Sequence, residues 1–422
     1  MAGLRRMSQL MALLLALVAA SVLAGCGVAP QPGVVRAADT RAPATVAPAG
    51  AATLRAGNGA FAGRMLRLLA RTEPTVALSP FSISDALAMT YAGARGRTAS
   101  QIARALDFRL PPARLHAAFN VLTQSLATVD GPGVTLSVAN ALFGQRRTPF
   151  QQAFLDVLAR DYGAGMRTVD FEHAAGAARS VINAWVSDRT HGKIPSLLDP
   201  ADIDAFTRLV LVNAVYLNAK WQSPFQKRDT APAAFHAPGG TVQVPTMNQI
   251  GTFGYLRGSG YRALELPYAG GRLAFDILLP APGRLPSLLR RIASDGPLDL
   301  LRGLRAQQVG LALPKLLLHT RFELAGALST LGMPDAFDAS RADLSGIAGP
   351  PGCLYIKHVV HETYVRVDEA GTEAAAATAV IANAISAQAP PPIVFDVDRP
   401  FAFVLRDRQT GAILFLGTVA RP

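Results

Sequence analysis

Val367-Asp368-Glu369-Ala370-Gly371-Thr372-Glu373-Ala374-Ala375-Ala376-Ala377-Thr378-Ala379-Val380 is the stretch on which the reading of this 422-residue chain turns. Taken alternately from Thr372, the residues Thr372, Ala374, Ala376, Thr378 and Val380 share one face of an extended strand, and all are small or β-branched. The other face carries Glu373, Ala375, Ala377, Ala379 and Ile381. No proline occurs from Gly371 to Ala389, so every amide there can donate to a ladder. Such a segment can enter the middle of a sheet without forcing a bulky or charged side chain into a core. Two plainer readings of the same letters are an alanine-rich helix and a flexible linker.

Around this stretch the chain reads as strands. Arg208 to Leu217 is nearly continuous apolar sequence, as for a strand buried on both faces. Further strands are expected over 242–255, 261–267, 273–279, 309–318, 394–403 and 413–419, with helices over 285–294 and 322–331. The first half is mostly helical, over 59–69, from Ser79-Pro80 through Met89, and over 98–106, 112–127, 149–161 and 174–189, with an extended run at 135–143. Helices dominate one half and strands the other, without βαβ alternation, so the fold class is α+β and not a doubly wound parallel sheet.

The N-terminus stands apart. Arg5 and Arg6 precede the apolar run Leu10 to Leu23, and Leu23-Ala24-Gly25-Cys26 follows. The run is too short to span a membrane comfortably and reads as a signal sequence. Its end resembles a bacterial lipobox, in which the cysteine is acylated and becomes the first mature residue; the alternative is an ordinary secretory signal with a chance cysteine. Residues 1–25 are thus expected to be a lipoprotein signal peptide and 26–56 a lipidated tether, since Pro30, Pro32, Pro43 and Pro48 oppose a regular helix. An anchored chain belongs at the cell envelope, outer membrane or surface, or in the extracellular space. Cys353 is the only other cysteine, so no disulfide framework is expected.

Half of the residues are hydrophobic and 17% are charged, and the formal charge of +12 falls to +10 once Arg5 and Arg6 are removed. The arginines are scattered and lack interleaved aromatics, which speaks against a nucleic-acid partner. Catalytic motifs fail in turn. There is no G-x-S-x-G elbow; His361-Glu362 begins a zinc motif that ends on Val365; Gly258-Ser259-Gly260 leads into extended sequence rather than a helix N-terminus. No catalytic residue, metal ligand or cofactor is assigned.

Glu369-Ala370-Gly371-Thr372-Glu373 followed by Ala374-Ala375-Ala376-Ala377-Thr378 resembles the hinge of inhibitory serpins, the serine protease inhibitor family. Matching stretches recur at Ser79-Pro80-Phe81-Ser82-Ile83, Ile182-Asn183-Ala184-Trp185-Val186, Leu211-Val212-Asn213-Ala214-Val215-Tyr216 with Lys220-Trp221, Leu264-Glu265-Leu266-Pro267-Tyr268, Asp335-Ala336-Phe337 and Asp398-Arg399-Pro400-Phe401, in order from about residue 57 to 422. The resemblance implies a domain over 57–422 with eight or nine helices around three β-sheets and an exposed reactive-centre loop near the C-terminus. It implies suicide inhibition of serine, and by extension cysteine, endopeptidases: the loop is cleaved and inserts into the central sheet with the protease attached. Ser79, Ser82, Asn213 and His361 fall at the shutter beneath that sheet, and Trp221 at the breach where insertion begins. Thr75 stands where an asparagine is usual, which puts one shutter hydrogen bond in question. Counting fourteen residues from Gly371 gives the scissile bond Ile385-Ser386, with Ala384 and Ala387 as neighbouring alternatives. An aliphatic residue there suits elastase-like or subtilisin-like proteases and not trypsin-like ones. The expected partner is the target protease, with a monomeric inhibitor and no strong heparin-type site. A non-inhibitory binding protein whose loop is cut without trapping is the rival within the same fold.

Overall fold

The structure, a computed structural model, describes residues 32–45, 47–372 and 391–422. Helices come first: α1 (Pro48–Leu69), α2 (Pro80–Gly93), α3 (Gly96–Ala105), α4 (Pro112–Leu126), α5 (Gln152–Tyr162) and α6 (Phe171–Arg189) precede α7 (Leu285–Asp295) and α8 (Ala325–Thr330). Each begins where the sequence permits it. Proline sits in the first turn of α1, α2, α4 and α7, where no amide is needed, and Ser79 caps α2 by accepting from the Ser82 amide.

One sheet has seven strands, in the order β1 (Gly33–Val35), β4 (Met166–Val169), β3 (Val134–Gln145), β5 (Leu209–Lys220), β13 (Gly371–Thr372), β12 (His358–Val367), β11 (Leu316–Glu323). Strand β5 is buried along almost its whole length, as its apolar run requires. The other sheet has nine: β14 (Ile393–Asp396), β10 (Arg305–Pro314), β7 (Gly240–Gly258), β8 (Tyr261–Pro267), β9 (Leu273–Pro280), β15 (Phe401–Asp407), β16 (Ile413–Val419) and β2 (Val76–Leu78), with β6 (Ala231–Ala237) on β7. The class is α+β with eight α-helices among the described residues. Three sheets were expected; among the described residues the strands form two. Strand β7 is long enough to pair with β6 at one end and with β8 and β10 beyond it, and so joins two sheets into one.

Other boundaries move as well. The run 309–318 is two strands broken at Lys315, and 394–403 is β14 and β15 separated by Val397-Asp398-Arg399-Pro400. The loose tether expected through residue 56 gives way over its described part. Gly33, Val34 and Val35 pair antiparallel with Thr168, Arg167 and Met166, and helix α1 begins at Pro48 instead of 59. Pro48 opposes a helix only in its interior, and it stands in the first turn. Between strand and helix, Arg41 donates to Asn120 Oδ1 at 2.8 Å and the Ala42 amide donates to the Arg160 carbonyl at 2.8 Å. Cys26, Glu373–Thr378, Ile385 and Ser386 lie outside the described residues. Cys353 is a free, exposed thiol, and among the described residues no helix is long and apolar enough to cross a membrane.

Candidate functional site: the divided top of the seven-stranded sheet

Strands β5 and β12 run parallel, with His358–Tyr364 paired against Val210–Tyr216. Above that ladder they part. After Val367 the chain turns back on itself: the Asp368 amide donates to the Gly371 carbonyl at 2.9 Å, and the Ala370 amide to the Asp368 carboxylate at 3.0 Å. Gly371 and Thr372 then enter the opening as a two-residue strand. Thr372 faces Val367 on one side and Ala219 on the other, antiparallel to both neighbours. Glycine is required at 371, because a Cβ there would lie 2.0 Å from the Ala219 carbonyl oxygen. Thr372 is buried, and its hydroxyl lies 2.6 Å from that of Tyr268. Burial holds the Tyr268 phenol well above its usual pKa, although the bond to Thr372 opposes this, so the group stays neutral.

Trp221 holds the turn from below. Its indole N–H donates to the Asp368 carbonyl at 2.9 Å and its backbone amide to the Ala370 carbonyl at 2.9 Å. The ring stacks on Tyr268 with centroids 4.6 Å apart and planes within 9°. Glu369 points inward and is nearly fully buried; Lys315 Nζ reaches it at 2.9 Å, and the Thr230 hydroxyl donates to it at 2.9 Å. Burial alone would raise the Glu369 pKa, but the hydrogen bonds from Lys315, its own amide and Thr230 outweigh that and hold it below the usual range.

Below, Asn140 of β3, Asn213 of β5 and His361 of β12 stand in one row across the three strands. The Ser79 amide at the start of α2 donates to His361 Nε2 at 2.9 Å, so the neutral ring carries its proton on Nδ1. Burial pulls the His361 pKa down to about 3. The histidine thereby ties β12 to the helix cap. The Ser82 hydroxyl bonds Asn140 Oδ1, and Asn140 Nδ2 donates to Asp85 Oδ2 at 2.8 Å. Asn213 is in the row, yet its side-chain atoms have no hydrogen-bond partner among the described residues. Thr363 and Thr320 both donate to the Ala77 carbonyl, at 2.9 and 2.5 Å. Thr75, the departure noted in the sequence, accepts from the amides of Ala420 and Arg421 at 3.1 and 3.4 Å and fastens the C-terminus.

Sequence reasoning therefore picked out Glu369, Gly371, Thr372 and Trp221, which the fold brings together, and Ser79, Ser82, Asn213 and His361, which it gathers lower down. It missed Lys315, Tyr268, Asn140 and Asp85. The one available signal was energetic: a carboxylate as buried as Glu369 requires a cation. Among the described residues no group of three or more His, Cys, Asp or Glu could hold a metal ion.

Residues 56–422 match the family described as serpin (serine protease inhibitor). Leukocyte elastase inhibitor A of Rattus norvegicus is 38% identical over 381 residues, covering 87% of this chain and 99% of that protein. An uncharacterised serpin-like protein of Thermococcus kodakarensis is 38% identical over 363 residues, 86% of this chain and 84% of that one. Among solved structures, Serpin48 of the insect Tenebrio molitor superposes with a TM-score of 0.78 at 33% identity, covering 88% of this chain and 98% of that one. Tengpin, a thermophilic serpin in its native state, superposes with a TM-score of 0.82 at 25% identity, covering 93% and 100%. The chain belongs to the serpin family.

Proposed function

We propose that this chain is an irreversible suicide-substrate inhibitor of serine endopeptidases with elastase-like or subtilisin-like specificity. The observation that carries the reading is the pair Gly371–Thr372, already hydrogen-bonded between β5 and β12 where those strands separate. The residues that follow continue the small-residue alternation and lack proline, so the same pairing can extend downward. A protease would attack the loop near Ile385-Ser386 and form an acyl-enzyme. The freed segment would then insert and carry the protease with it before deacylation. Each ladder hydrogen bond gained contributes roughly 1 kcal/mol net, so a dozen can drive a large displacement. The unreacted protein persists kinetically rather than thermodynamically. The names of the rat relative and its mammalian counterparts, elastase inhibitors, support the choice of target class.

We propose further that Cys26 is acylated and holds a monomeric inhibitor at the cell envelope. Cys26 stands seven positions before the strand residue Gly33, so the body would lie within about 25 Å of the lipid.

The deciding experiment incubates residues 27–422 with an elastase-like protease. An SDS-resistant covalent complex, and a C-terminal fragment starting at Ser386, are expected. A cleaved product of unchanged thermal stability, with no complex, would overturn the inhibitory reading.

A further inference from the structure

Three arginines gather at the β1 edge of the seven-stranded sheet, where the chain arrives from its N-terminal segment. Arg167 of β4 stands opposite Val34 in the β1–β4 ladder, with its guanidinium carbon 4.6 Å from the centre of the Trp185 ring. Arg189, at the end of α6, reaches the same ring at 5.8 Å. Arg36 follows the strand directly and lies across Gly165, where a Cβ would come within 2.3 Å of the arginine Cγ. Val34 and Val35 beside it are exposed, at 42% and 39%.

The three charges lack a counter-ion. No hydrogen bond or ion pair engages the guanidinium of Arg36, Arg167 or Arg189 among the described residues. Burial lowers the Arg167 pKa to about 10, and repulsion from Arg189 and then Arg36 acts in the same direction. The group is therefore still charged at neutral pH, and the repulsion persists. Like charges held together in this way are relieved by an anion, and guanidinium groups match phosphate through parallel N–H bonds.

We propose that this face, formed by Val34, Val35, Arg36, Arg167 and Arg189, rests on the phosphate groups of an anionic phospholipid membrane. The occupant follows from chain length and charge. Cys26 stands seven positions before Gly33, so an acylated cysteine would hold this edge within about 25 Å of the lipid. Two exposed valines beside three arginines suit the boundary between headgroups and acyl chains. The inference rests on the acylation reading above for its location. Seated so, the protein turns the β1 edge of the sheet to the lipid, with the β11 edge at the opposite end.

Residues 27–422 keep every described residue and carry no acyl chain, so vesicle sedimentation tests the face alone. Mass spectrometry on the N-terminal peptide of the exported chain reads acylation separately. Binding to mixed phosphatidylglycerol and phosphatidylcholine vesicles is expected, with little to phosphatidylcholine alone. Each arginine near an anionic surface contributes roughly fivefold to partitioning, so R36Q/R167Q/R189Q should bind on the order of a hundredfold more weakly. R257Q/R290Q/R305Q removes the same charge from exposed positions elsewhere and should keep most of the binding. An equal loss there would reduce the effect to net charge and overturn the site. Should the first triple variant not fold, R36Q/R189Q leaves the half-buried Arg167 in place and should still weaken binding roughly thirtyfold; undiminished binding would overturn the site. No binding to the anionic vesicles overturns it as well. So does displacement from them by glycerol 3-phosphate, which would mark a small-anion site. A dimer formed without vesicles and abolished by the same substitutions would assign the face to a second copy instead.

Discussion

The hydroxyls of Thr372 and Tyr268 meet at 2.6 Å in a contact from which solvent is excluded. Thr372→Arg must place a guanidinium at a buried position between Ala219 and Val367, at a cost of several kcal/mol. The variant should be cut by the protease but trap little of it. The ratio of SDS-resistant complex to cleaved product measures this, and wild-type trapping would sink the insertion argument. Tyr268→Phe keeps the ring stacked on Trp221 and removes only the hydroxyl, so the native protein should lose about 1 kcal/mol, read from its urea midpoint.

Gly371→Ala tests the entry point itself. The added methyl would sit 2.0 Å from the Ala219 carbonyl oxygen, so the two-residue strand must withdraw or β5 must shift. A loss of roughly 1–3 kcal/mol in native stability is expected. Hydrogen exchange should also quicken at the amides of Trp221 and Phe225, which the turn now covers. Unchanged exchange there would show that the strand does not depend on the glycine.

Glu369 and Lys315 form an ion pair that is buried on one side only, with the lysine about one-third exposed. Because the folded carboxylate has a depressed pKa, its contribution is complete above the ordinary carboxylate range and is lost as pH falls through the lower folded value. Glu369→Gln should flatten this part of the acid-unfolding curve and leave the Thr230 contact available. A curve identical to wild type would remove the pair from the account.

His361 and Asp85 should oppose each other in acid. The buried His361 stays neutral down to about pH 3 while the unfolded chain protonates at 6.5, so its effect is to drain stability as pH falls below 6.5. Asp85, raised mainly by burial from 3.8 to about 6, takes up its proton first in the folded state and so relieves the protein between about 6 and 3.8. Asp85→Asn removes the relief. Its urea midpoint should fall more steeply than wild type between about pH 6 and 4, by an amount on the order of 2 kcal/mol. A parallel pair of profiles would contradict the assignment.

Arg41 links the N-terminal segment to α4 through Asn120 and Thr123. Arg41→Ala should cost about 1–2 kcal/mol and, by removing a nearby positive charge, push the Asp85 pKa higher still. NMR titration of the Asp85 carboxyl checks the second effect, which a purely local loss of packing would not produce.

The fold was legible where composition and period agree. The uninterrupted apolar run of β5 and the Ser-Pro entry to α2 each state their role in local terms. What escaped depends on contacts between distant positions. Nothing around Asn140, inside a partly exposed alternating run, shows that its amide will meet Asp85. Lys315 was hidden inside what read as one strand, yet the break there is what lets its side chain reach Glu369. The tether failed for a different reason: prolines and glycines predict what a segment cannot do alone, and Gly33–Val35 borrows its structure from the edge of β4.

The short strand at Gly371–Thr372 has a directional consequence. The ladder it faces, His358–Tyr364 against Val210–Tyr216, is parallel, whereas the newcomer lies antiparallel to both sides. Each step downward would exchange one slanted pairing for two perpendicular ones, the slightly more stable kind. It would also move the flanks apart by about 4.8 Å, more than a hydrogen bond such as Asn140–Asp85 can stretch. The β11–β12 flank is fastened to the start of α2 and to Ala77 by His361, Thr363 and Thr320, and the β3–β5 flank chiefly by Asn140. Growth of the strand would then be a zipper with an unequal hem, yielding on the β3 side.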